Sequence, residues 1–510
     1  MVAIEKEIAK VEVCHYLHGS SLAFVRKARQ ESKGVMLNPV TAKFTSQLQR
    51  LLPAAAFPEL GDKYLTEPRG HYQGSAGLLV APDSTAQVAQ VIAAAAAARI
   101  GVVPYGGGTG LVGGQVLPAS KTYTPAPLIL SLGRMRQIRA YYPEENVLVA
   151  EAGAVLAEVQ QSAADMDRLF PLSLASEGTA QIGGLLATNA GGVNVLRYGM
   201  ARDQVLGIEA VMADGRIFNG LQRLRKDNTG YDLRHLLIGS EGTLGIITAA
   251  SLKLAPRPQS EGTALLTVDS PSAALDLLGR AKGILGESIS AFELISGQGL
   301  RFLAETHPQM RQPWSSPPDW SILLHLGVSN GAGAEQAIEA LFEQASDVIR
   351  DSVIAQSAQQ AQDLWSLRET IPLANRAIGA ICSSDISLPL SEIANFIAEM
   401  PVALARYGDI RINCFGHLGD GNLHYNLFPA AGAAASDYRA MRADLQAEVH
   451  RLTHELGGSV SAEHGVGRLK VADIARFGDP VKLQLMRQIK DTLDPQGIMN
   501  PGAVLSLREA

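Results

Sequence analysis

The glycine-rich stretch at residues 106–114, GGGTGLVGG, restricts the possible fold more than any other part of this sequence. It contains the Gly-x-Gly-x-x-Gly spacing of dinucleotide-binding proteins, in which the glycines follow a strand and open a helix. Here a strand, a helix and a second strand are predicted within residues 78–103, before the glycines, and Pro118, Pro125 and Pro127 follow them. Because proline interrupts a helix, the sequence argues against a Rossmann domain. The glycines suit either a backbone nest for a phosphate or a turn without a ligand.

Two further segments have the same character. Residues 171–192 read PLSLASEGTAQIGGLLATNAGG, and residues 226–247 read KDNTGYDLRHLLIGSEGTLGII. Each lies between predicted short strands and is rich in glycine and small polar residues. Loops of this kind bring backbone amides close to a ligand, because glycine has no side chain to keep the ligand away. The three loops together predict a cradle for an extended ligand with many oxygen atoms.

Length and charge exclude several classes of protein. The chain has 510 residues and a net charge of -6, which predicts two or three domains and no nucleic-acid partner. The apolar run at residues 91–98 is too short for a transmembrane segment. Three cysteines without CxxC spacing indicate a reducing compartment, so we expect a cytoplasmic protein, either free or peripheral to a membrane. The apolar residues of 1–36 follow no clear helix or strand period. We expect this segment to be a poorly packed extension or an artefact of a wrongly assigned start codon.

A polar constellation lies in the second half of the chain, where helices over 271–285, 334–350 and 391–406 alternate with strands. Residues 414–426 read CFGHLGDGNLHYN. The GDGN turn lets His417 and His424 converge, and two neutral imidazoles suit a divalent metal. Two ordinary surface histidines are the alternative.

A third metal ligand is available in residues 461–467, SAEHGVG. Adjacent residues of a strand point to opposite faces, so Glu463 and His464 can share one site only on irregular backbone, which Gly465 and Gly467 permit. Two histidines and a glutamate fit zinc with an open coordination position, with iron and manganese as alternatives.

The three glycine loops resemble those of the vanillyl-alcohol oxidase flavoprotein superfamily, which binds FAD in a domain unrelated to the Rossmann fold. The tail at residues 493–502, LDPQGIMNPG, resembles the segment that returns to the flavin. Some members attach FAD through a histidine, but the matching position here is Gly108, so the resemblance implies non-covalent FAD. The implied cofactor-binding residues are Gly106, Gly107, Gly108, Thr109, Gly110, Leu111, Gly113, Gly114, Ser176, Glu177, Gly178, Thr179, Ile182, Gly183, Gly184, Thr188, Asn189, Gly191, Glu241, Gly242, Gly245, Ile246 and Asn500.

The implied fold class is α+β, with a two-subdomain FAD-binding domain of the vanillyl-alcohol oxidase type and an α+β cap domain that binds the substrate. We expect an N-terminal extension and helical lead-in over residues 1–76 and the FAD-binding domain over 77–256. The cap domain is expected over 257–451. Residues 452–510 are expected to return to the FAD domain.

The segments FGHLGDGNLHYN and SAEHGVG resemble the D-2-hydroxy acid dehydrogenase branch of this superfamily, which includes enzymes for D-2-hydroxyglutarate and D-lactate. The resemblance implies that His417, His424 and Glu463 bind the metal, which we expect to be zinc, and that His464 is the catalytic base. The implied reaction transfers a hydride from the substrate to flavin N5 while His464 accepts the hydroxyl proton. Electron-transferring flavoprotein, a quinone or a cytochrome would then accept the electrons, with oxygen as an alternative and a homodimer as one possible assembly.

The resemblance also implies that Arg368, Asn426 and His464 contact the substrate. The choice between the two substrates stays open, because Ser383 occupies the position of a lysine common in the hydroxyglutarate branch and Pro372 that of a threonine. Two other functions stay open as well. One is a non-redox flavoprotein resembling alkylglycerone-phosphate synthase, and the other is a metal-dependent hydrolase without flavin.

Overall fold

The computed structural model describes residues 36–119, 125–329 and 333–507, and the expectations for residues 1–35 lie outside them. The strands are β1 (Leu78–Val80), β2 (Val102–Tyr105), β3 (Leu128–Ser131), β4 (Ile138–Tyr142), β5 (Val147–Glu151), β6 (Arg168–Leu169), β7 (Val205–Met212), β8 (Ile217–Gly220), β9 (Gly245–Lys253), β10 (Ala255–Pro256), β11 (Ser260–Val268), β12 (Ile289–Ser296), β13 (Trp320–Val328), β14 (Asp351–Ile354), β15 (Cys382–Ser387), β16 (Ile410–His417) and β17 (Asn422–Pro429). The α-helices are α1 (Ala42–Leu51), α2 (Thr85–Ala98), α3 (Leu156–Ala164), α4 (Ile182–Thr188), α5 (Val195–Tyr198), α6 (Leu233–Leu237), α7 (Pro271–Leu285), α8 (Gly297–Thr306), α9 (Ala334–Ala345), α10 (Ala358–Ile378), α11 (Ile393–Leu404), α12 (Arg442–Glu455), α13 (Val471–Phe477) and α14 (Pro480–Leu493).

The first half of the described chain contains a parallel sheet in the order β1-β3-β2 and an antiparallel sheet in the order β4-β5-β9-β7-β8. Helix α2 packs between them, and its apolar residues share one core with Val211 of β7 and Ile246 of β9. The helix begins where Ser84 Oγ accepts a hydrogen bond from the Gln87 amide, and it ends at Arg99 in the left-handed conformation. This strand, helix and strand precede the first glycine loop, as the sequence predicts.

The second half is built on a seven-stranded antiparallel sheet in the order β14-β11-β13-β12-β16-β17-β15. Apolar residues of α7, α9, α11 and α12 cover one face, and those of α8 and α10 cover part of the other. Part of the second face therefore stays free for polar side chains, and the candidate site lies there.

The C-terminal segment returns to the first sheet. The Val102 amide donates to the Ile498 carbonyl and the Asn500 amide donates to the Val102 carbonyl, both at 2.8 Å. Ile498 and Met499 are fully buried in the core of that sheet. The α+β architecture with a returning tail agrees with the expected fold class, while the exact domain boundaries stay a prediction. Across the described ranges, none of the helices is long and apolar enough to cross a membrane.

Candidate functional site

A cavity lies where the three glycine loops meet, and we call it the glycine cavity. Of the predicted cofactor-binding residues, its lining includes Gly106, Gly107, Gly108, Thr109, Gly110, Gly114, Gly183, Gly184, Thr188, Glu241, Gly242, Gly245, Ile246 and Asn500. The other predicted residues lie outside its lining, namely Leu111, Gly113, Ser176, Glu177, Gly178, Thr179, Ile182, Asn189 and Gly191.

Close packing of the first two loops explains several of their glycines. A Cβ atom on Gly107 would lie 2.1 Å from the Thr179 carbonyl oxygen, and one on Gly183 would lie 2.7 Å from the Ala152 Cβ. No atom lies within 4 Å of the position that a Cβ would take on Gly184, so this backbone faces open space in the cavity. A ligand can therefore approach the backbone closely, which fits an extended dinucleotide.

Arg468 holds the first loop against the C-terminal tail. Its Nη1 donates to the carbonyls of Gly113 at 2.9 Å and Gly114 at 2.8 Å. Its Nη2 donates to Asn500 Oδ1 at 2.7 Å and to the Pro501 carbonyl at 2.9 Å. An arginine after a glycine carries no recognisable signal in the sequence, and its role follows only from the tertiary contacts.

Glu241 connects the glycine cavity with the segment that carries Glu463 and His464. Although Glu241 lines the cavity, its carboxylate accepts hydrogen bonds from the amides of Val466 at 2.7 Å and Gly467 at 2.8 Å. Burial raises the pKa of this carboxyl group. Gly465, with φ +80°, leaves room for the carboxylate, since its Cβ would lie 2.7 Å from Glu241 Oε1. The carboxylate thus positions the SAEHG segment beside the cavity.

Glu293 on β12 organises one side of the polar face. Its Oε1 lies 2.7 Å from His417 Nδ1, and its Oε2 accepts from Nε and Nη2 of Arg368, each at 2.9 Å. Burial disfavours the charged form of the His417 imidazole, but the Glu293 carboxylate outweighs this effect and raises the pKa of His417 to about 9. Because an ionised carboxylate only accepts hydrogen bonds, Nδ1 of His417 carries the proton. Nε2 of His417 is then the atom that can bind a cation when the ring is neutral.

His417, His424 and Glu463 converge as the sequence predicts. Their potential ligand atoms all lie within 4.8 Å of one another. The rings of His417 and His424 are 5.4 Å apart between centroids, on either side of a 3-10 turn at Leu418–Asp420. Burial lowers the pKa of His424 and raises that of Glu463 to about 7. Two imidazole nitrogens and one carboxylate oxygen form a donor set that fits a divalent cation such as zinc.

Asp385 on β15 explains how the neighbours Glu463 and His464 share one site. Its Oδ2 accepts hydrogen bonds from both of their backbone amides at 3.1 Å, and its Oδ1 accepts from the Asn422 side chain at 2.9 Å. The strand register places Asp385 opposite His424. No motif marks this aspartate in the sequence, because its partners lie on distant segments. Asp385, Glu463 and His464 also bring ligand atoms within 4.8 Å of one another.

His464 lies next to the three potential metal ligands. Its ring stacks over that of His424 with 6.3 Å between centroids, its Nδ1 lies 3.4 Å from Asp385 Oδ2 and its Nε2 lies 3.6 Å from Glu463 Oε1. Burial lowers the pKa of His464 to about 4. The imidazole is therefore neutral at neutral pH and can accept a proton.

The two other predicted substrate contacts lie on the same face of the seven-stranded sheet. Arg368 is buried, and its Nε and Nη2 both contact Glu293 Oε2, which leaves Nη1 and the second hydrogen of Nη2 for other partners. The Asn426 side-chain amide donates to the His424 carbonyl at 3.0 Å. Their roles toward the substrate stay a prediction.

Comparisons with known proteins identify the family of the chain. Residues 76–220 match the family described as "FAD binding domain", and residues 257–504 match "FAD linked oxidases, C-terminal domain". The mitochondrial D-2-hydroxyglutarate dehydrogenase of Arabidopsis thaliana is 37% identical over 438 residues, which cover 85% of this chain and 76% of the relative. That of Rattus norvegicus is 37% identical over 86% of this chain and 79% of the relative. The chain belongs to the FAD-dependent D-2-hydroxy acid dehydrogenase family.

The fold also matches solved flavoproteins. A crystal structure of p-cresol methylhydroxylase with substrate bound has a TM-score of 0.71 at 17% identity, covering 93% of this chain and 100% of that chain. The alkyldihydroxyacetonephosphate synthase structure has a TM-score of 0.68 at 16% identity and covers 92% of this chain and 86% of that chain. Such low identity establishes only the fold, which is that of vanillyl-alcohol-oxidase-type FAD proteins.

As a member of the family the protein is an FAD-dependent oxidoreductase, which makes FAD the ligand that the glycine cavity fits. The cytoplasmic location and the homodimer stay predictions, and the two relatives named above are mitochondrial.

Proposed function

We propose that the protein oxidises a D-2-hydroxy acid to the corresponding 2-oxo acid, with non-covalently bound FAD as the first electron acceptor. The observation that carries the proposal is the convergence of His417, His424, Glu463 and His464 beside the glycine cavity. The relatives support it, since two of them are D-2-hydroxyglutarate dehydrogenases. The absence of histidine and cysteine from the first glycine loop supports non-covalent binding.

The three glycine loops and Asn500 would hold FAD, and His417, His424 and Glu463 would hold a divalent cation, for which we propose zinc. When bound, FAD supplies the acceptor for two electrons, and the cation makes a hydroxyl group next to it more acidic. The protein has to orient the substrate so that its Cα–H bond faces the cavity and its hydroxyl group faces His464.

His464 is the residue that takes the hydroxyl proton in this proposal. Its Nδ1 faces Asp385, which fixes the ring and leaves Nε2 as the atom that accepts the proton. Nε2 lies on the side of Glu463, where the substrate hydroxyl would approach. A positioned general base typically contributes about 10² to 10⁴-fold to the rate. Loss of the Cα hydrogen with its electron pair and of the hydroxyl proton leaves the carbonyl of the 2-oxo acid.

Two side chains on the sheet face would orient the substrate carboxylate. Arg368 brings positive charge beneath the site, with its guanidinium 4.7 Å from the centre of the Phe415 ring. Glu293 Oε2 engages Nε and one hydrogen of Nη2, so the two hydrogens of Nη1 and the second hydrogen of Nη2 remain, and we propose that they donate to the substrate carboxylate. Asn426 supplies a second polar group two residues beyond His424 on β17.

Anaerobic mixing of the purified yellow protein with D- and L-forms of 2-hydroxyglutarate, lactate and malate tests the proposal. We expect the D-forms of at least one acid to bleach the flavin absorbance and the L-forms to leave it unchanged. Bleaching by none of the acids would contradict the proposed reaction and favour a non-redox flavoprotein. A colourless preparation would favour a metal-dependent hydrolase.

The variant His464→Ala tests the base. We expect it to retain FAD and to reduce the flavin about 10² to 10⁴-fold more slowly than the wild type, as measured in an anaerobic stopped-flow experiment. The variant His454→Ala is the matched control, because His454 is an exposed histidine on α12. An unchanged rate in His464→Ala would remove this residue from the base role.

The proposal also covers the electron acceptor that reoxidises the reduced flavin. We propose electron-transferring flavoprotein, a quinone or a cytochrome, with oxygen as the alternative. Reoxidation of the reduced flavin by each of them in turn distinguishes these acceptors.

A further inference from the structure

Helix α5 joins the second glycine loop to the sheet that carries the histidines. It follows the glycines of that loop and packs on β12 and on the 3-10 turn at Leu418–Asp420. This turn separates His417 from His424. A helix of four residues is not stable by itself, so the contacts that α5 makes with its neighbours determine its position.

The segment that ends in α5 begins in the glycine cavity. Gly184 and Thr188 of α4 line this cavity. Helix α4 ends at Asn189, which has the left-handed conformation with φ +50°. The Asn189 side chain holds the bend, since its Oδ1 accepts a hydrogen bond from the Arg202 amide at 2.9 Å. A ligand in the cavity therefore contacts the helix from which this segment continues.

Gly191 brings the segment against one of the potential metal ligands. A Cβ atom on Gly191 would lie 3.2 Å from Glu463 Oε2 and 3.3 Å from the Glu463 Cβ. The next residue, Gly192, has φ +120°, and the Ser173 carbonyl leaves no room for a Cβ atom there. The backbone of the second glycine loop thus packs directly on the side chain of Glu463.

Leu196 places α5 on the turn between the two histidines. Its side chain packs against the apolar core of the seven-stranded sheet. A Cβ atom on Gly419 would lie 2.5 Å from Leu196 Cδ2. Gly419 does not have a positive φ, so the close approach of Leu196, and not the backbone conformation, favours glycine here. The Gly419 carbonyl also accepts a hydrogen bond from Lys282 Nζ at 3.3 Å.

Arg197 places the same helix on the strands. Its Nη1 donates to the Gly327 carbonyl of β13 at 2.6 Å and to Ser290 Oγ of β12 at 3.1 Å. A Cβ atom on residue 327 would overlap with this nitrogen, so glycine leaves the space for the guanidinium group. Strand β12 also carries Glu293, whose Oε1 lies 2.7 Å from His417 Nδ1. Arg197 therefore holds the strand that orients His417.

We propose that Leu196 and Arg197 are positioning residues that fix the cation site relative to the flavin site and couple the binding of the two ligands. The inference rests on the proposed function, in which FAD and a divalent cation are bound together. FAD in the glycine cavity would fix α4 and the segment behind it. That segment would in turn hold the Glu463 side chain and the turn between the histidines in the arrangement that binds the cation.

Calorimetric titration with Zn²⁺ of the FAD-bound and the FAD-free protein tests the coupling. Coupling between two sites typically amounts to about 5- to 150-fold, and we expect FAD to tighten Zn²⁺ binding to the wild type about tenfold. The same coupling requires Zn²⁺ to lower the dissociation constant of FAD by an equal factor, which flavin fluorescence measures. Such a change in affinity does not by itself empty the flavin site.

The variant Arg197→Met tests the contact with the strands, because methionine has no hydrogen-bond donor. It is expected to bring the ratio of the two Zn²⁺ affinities close to one, whereas Arg197→Lys keeps a cationic donor and should retain part of the ratio. A variant that only destabilised the fold would weaken Zn²⁺ binding in both forms alike. Arg136→Met is the matched control, because the Arg136 side chain is 49% exposed and pairs with Glu158. A wild-type ratio in Arg197→Met would remove Arg197 from the positioning role.

A double-mutant cycle tests Leu196. Gly419→Ala places a methyl group 2.5 Å from Leu196 Cδ2, which should displace the turn and weaken Zn²⁺ binding to the FAD-bound protein about tenfold. The double variant with Leu196→Ala lacks the atoms that the methyl group meets, and it should bind Zn²⁺ more tightly than Gly419→Ala alone. Gly279→Ala is the control, since a Cβ atom there has no neighbour within 4 Å. Additive losses in the cycle would contradict the role of Leu196.

The outcomes keep the coupling separate from the proposed reaction. If Zn²⁺ binds the wild type equally well with and without FAD, or binds neither form, the coupling is wrong even where D-2-hydroxy acids bleach the flavin. If FAD tightens Zn²⁺ binding but no D-2-hydroxy acid bleaches the flavin, the proposed reaction fails and the coupling stands.

Discussion

Replacing Arg468 with methionine tests whether tertiary contacts, rather than the glycine loop alone, prepare the cavity for FAD. The side chain joins the carbonyls of Gly113 and Gly114 to Asn500 and Pro501, with four hydrogen bonds of 2.9 Å or shorter. Gly114 and Asn500 both line the glycine cavity. Methionine keeps much of the side-chain volume but removes the charge and all of its donors.

The expected cost follows from these contacts. A hydrogen bond with a charged partner contributes about 1.5 to 3 kcal/mol, and such contributions are not additive within one network. The substitution also removes the cost of burying the charged guanidinium group. We therefore expect a net loss of about 3 kcal/mol of stabilisation rather than the sum of the four hydrogen bonds. If the lost free energy is the energy that holds the first glycine loop against the C-terminal tail, the dissociation constant of FAD rises about 100-fold.

Reconstitution of the apoprotein with FAD, followed by flavin fluorescence, measures this change. Arg216→Met is the matched control, because Arg216 also belongs to the FAD domain but is 84% exposed and pairs only with Asp214 in a surface turn. Exposed pairs contribute about 0 to 1 kcal/mol, so the control should bind FAD like the wild type. Wild-type affinity in Arg468→Met would refute the reasoning.

Three further predictions concern other parts of the structure. Glu293→Gln leaves Arg368 buried without its carboxylate and should lower the free energy of unfolding by about 3 to 5 kcal/mol in urea titrations; an unchanged midpoint would contradict this. Burial raises the pKa of Tyr72 to about 12. The neutral hydroxyl therefore stabilises the folded state below pH 10, and up to about 2.7 kcal/mol of this stabilisation is lost as the pH rises toward 12. The stability difference between the wild type and Tyr72→Phe should shrink over that range, and a constant difference from pH 8 to pH 11.5 would argue against it. Dialysis against a zinc chelator should slow flavin reduction by a D-2-hydroxy acid without releasing FAD, and added zinc should restore the rate; retention of full activity in metal-free protein would exclude the metal site.

The sequence predicted elements whose signals are local. The helix over residues 271–285 has the predicted bounds, because Ser270 caps its first turn and Pro271 is the first helical residue. The helix predicted over residues 334–350 ends at Ala345 instead. Val348 and Ile349 are buried in the core of the seven-stranded sheet beyond the last helical turn. Burial of these two β-branched residues is a tertiary effect, and the helical pattern of the sequence does not contain it.

The residues of the candidate site also fall into two groups, those that the sequence marks and those that only the fold brings in. The histidines, Glu463 and the glycine loops stand out in the sequence because the chemistry of metals and phosphates requires such residue types at short spacing. Glu293 and Asp385 do not stand out, because their partners meet them only in the folded protein. Arg368 and His417 lie 75 and 124 positions from Glu293, and Glu463 and His464 lie 78 and 79 positions from Asp385. The pairing of Arg368 with Glu293 likewise follows only from the fold, since the two residues lie 75 positions apart in the chain.

The sequence by itself thus determined which chemical groups the protein possesses, the order of its strands and helices around the first glycine loop, and its resemblance to flavoproteins. Only the tertiary structure decided how these groups face one another. Glu241 and Arg468 join the cavity to the segment that carries His464, and Asp385 holds the amides of Glu463 and His464 together. The physical reason is that side-chain chemistry is a property of each residue, whereas hydrogen bonding and charge compensation between distant segments depend on packing that brings them together.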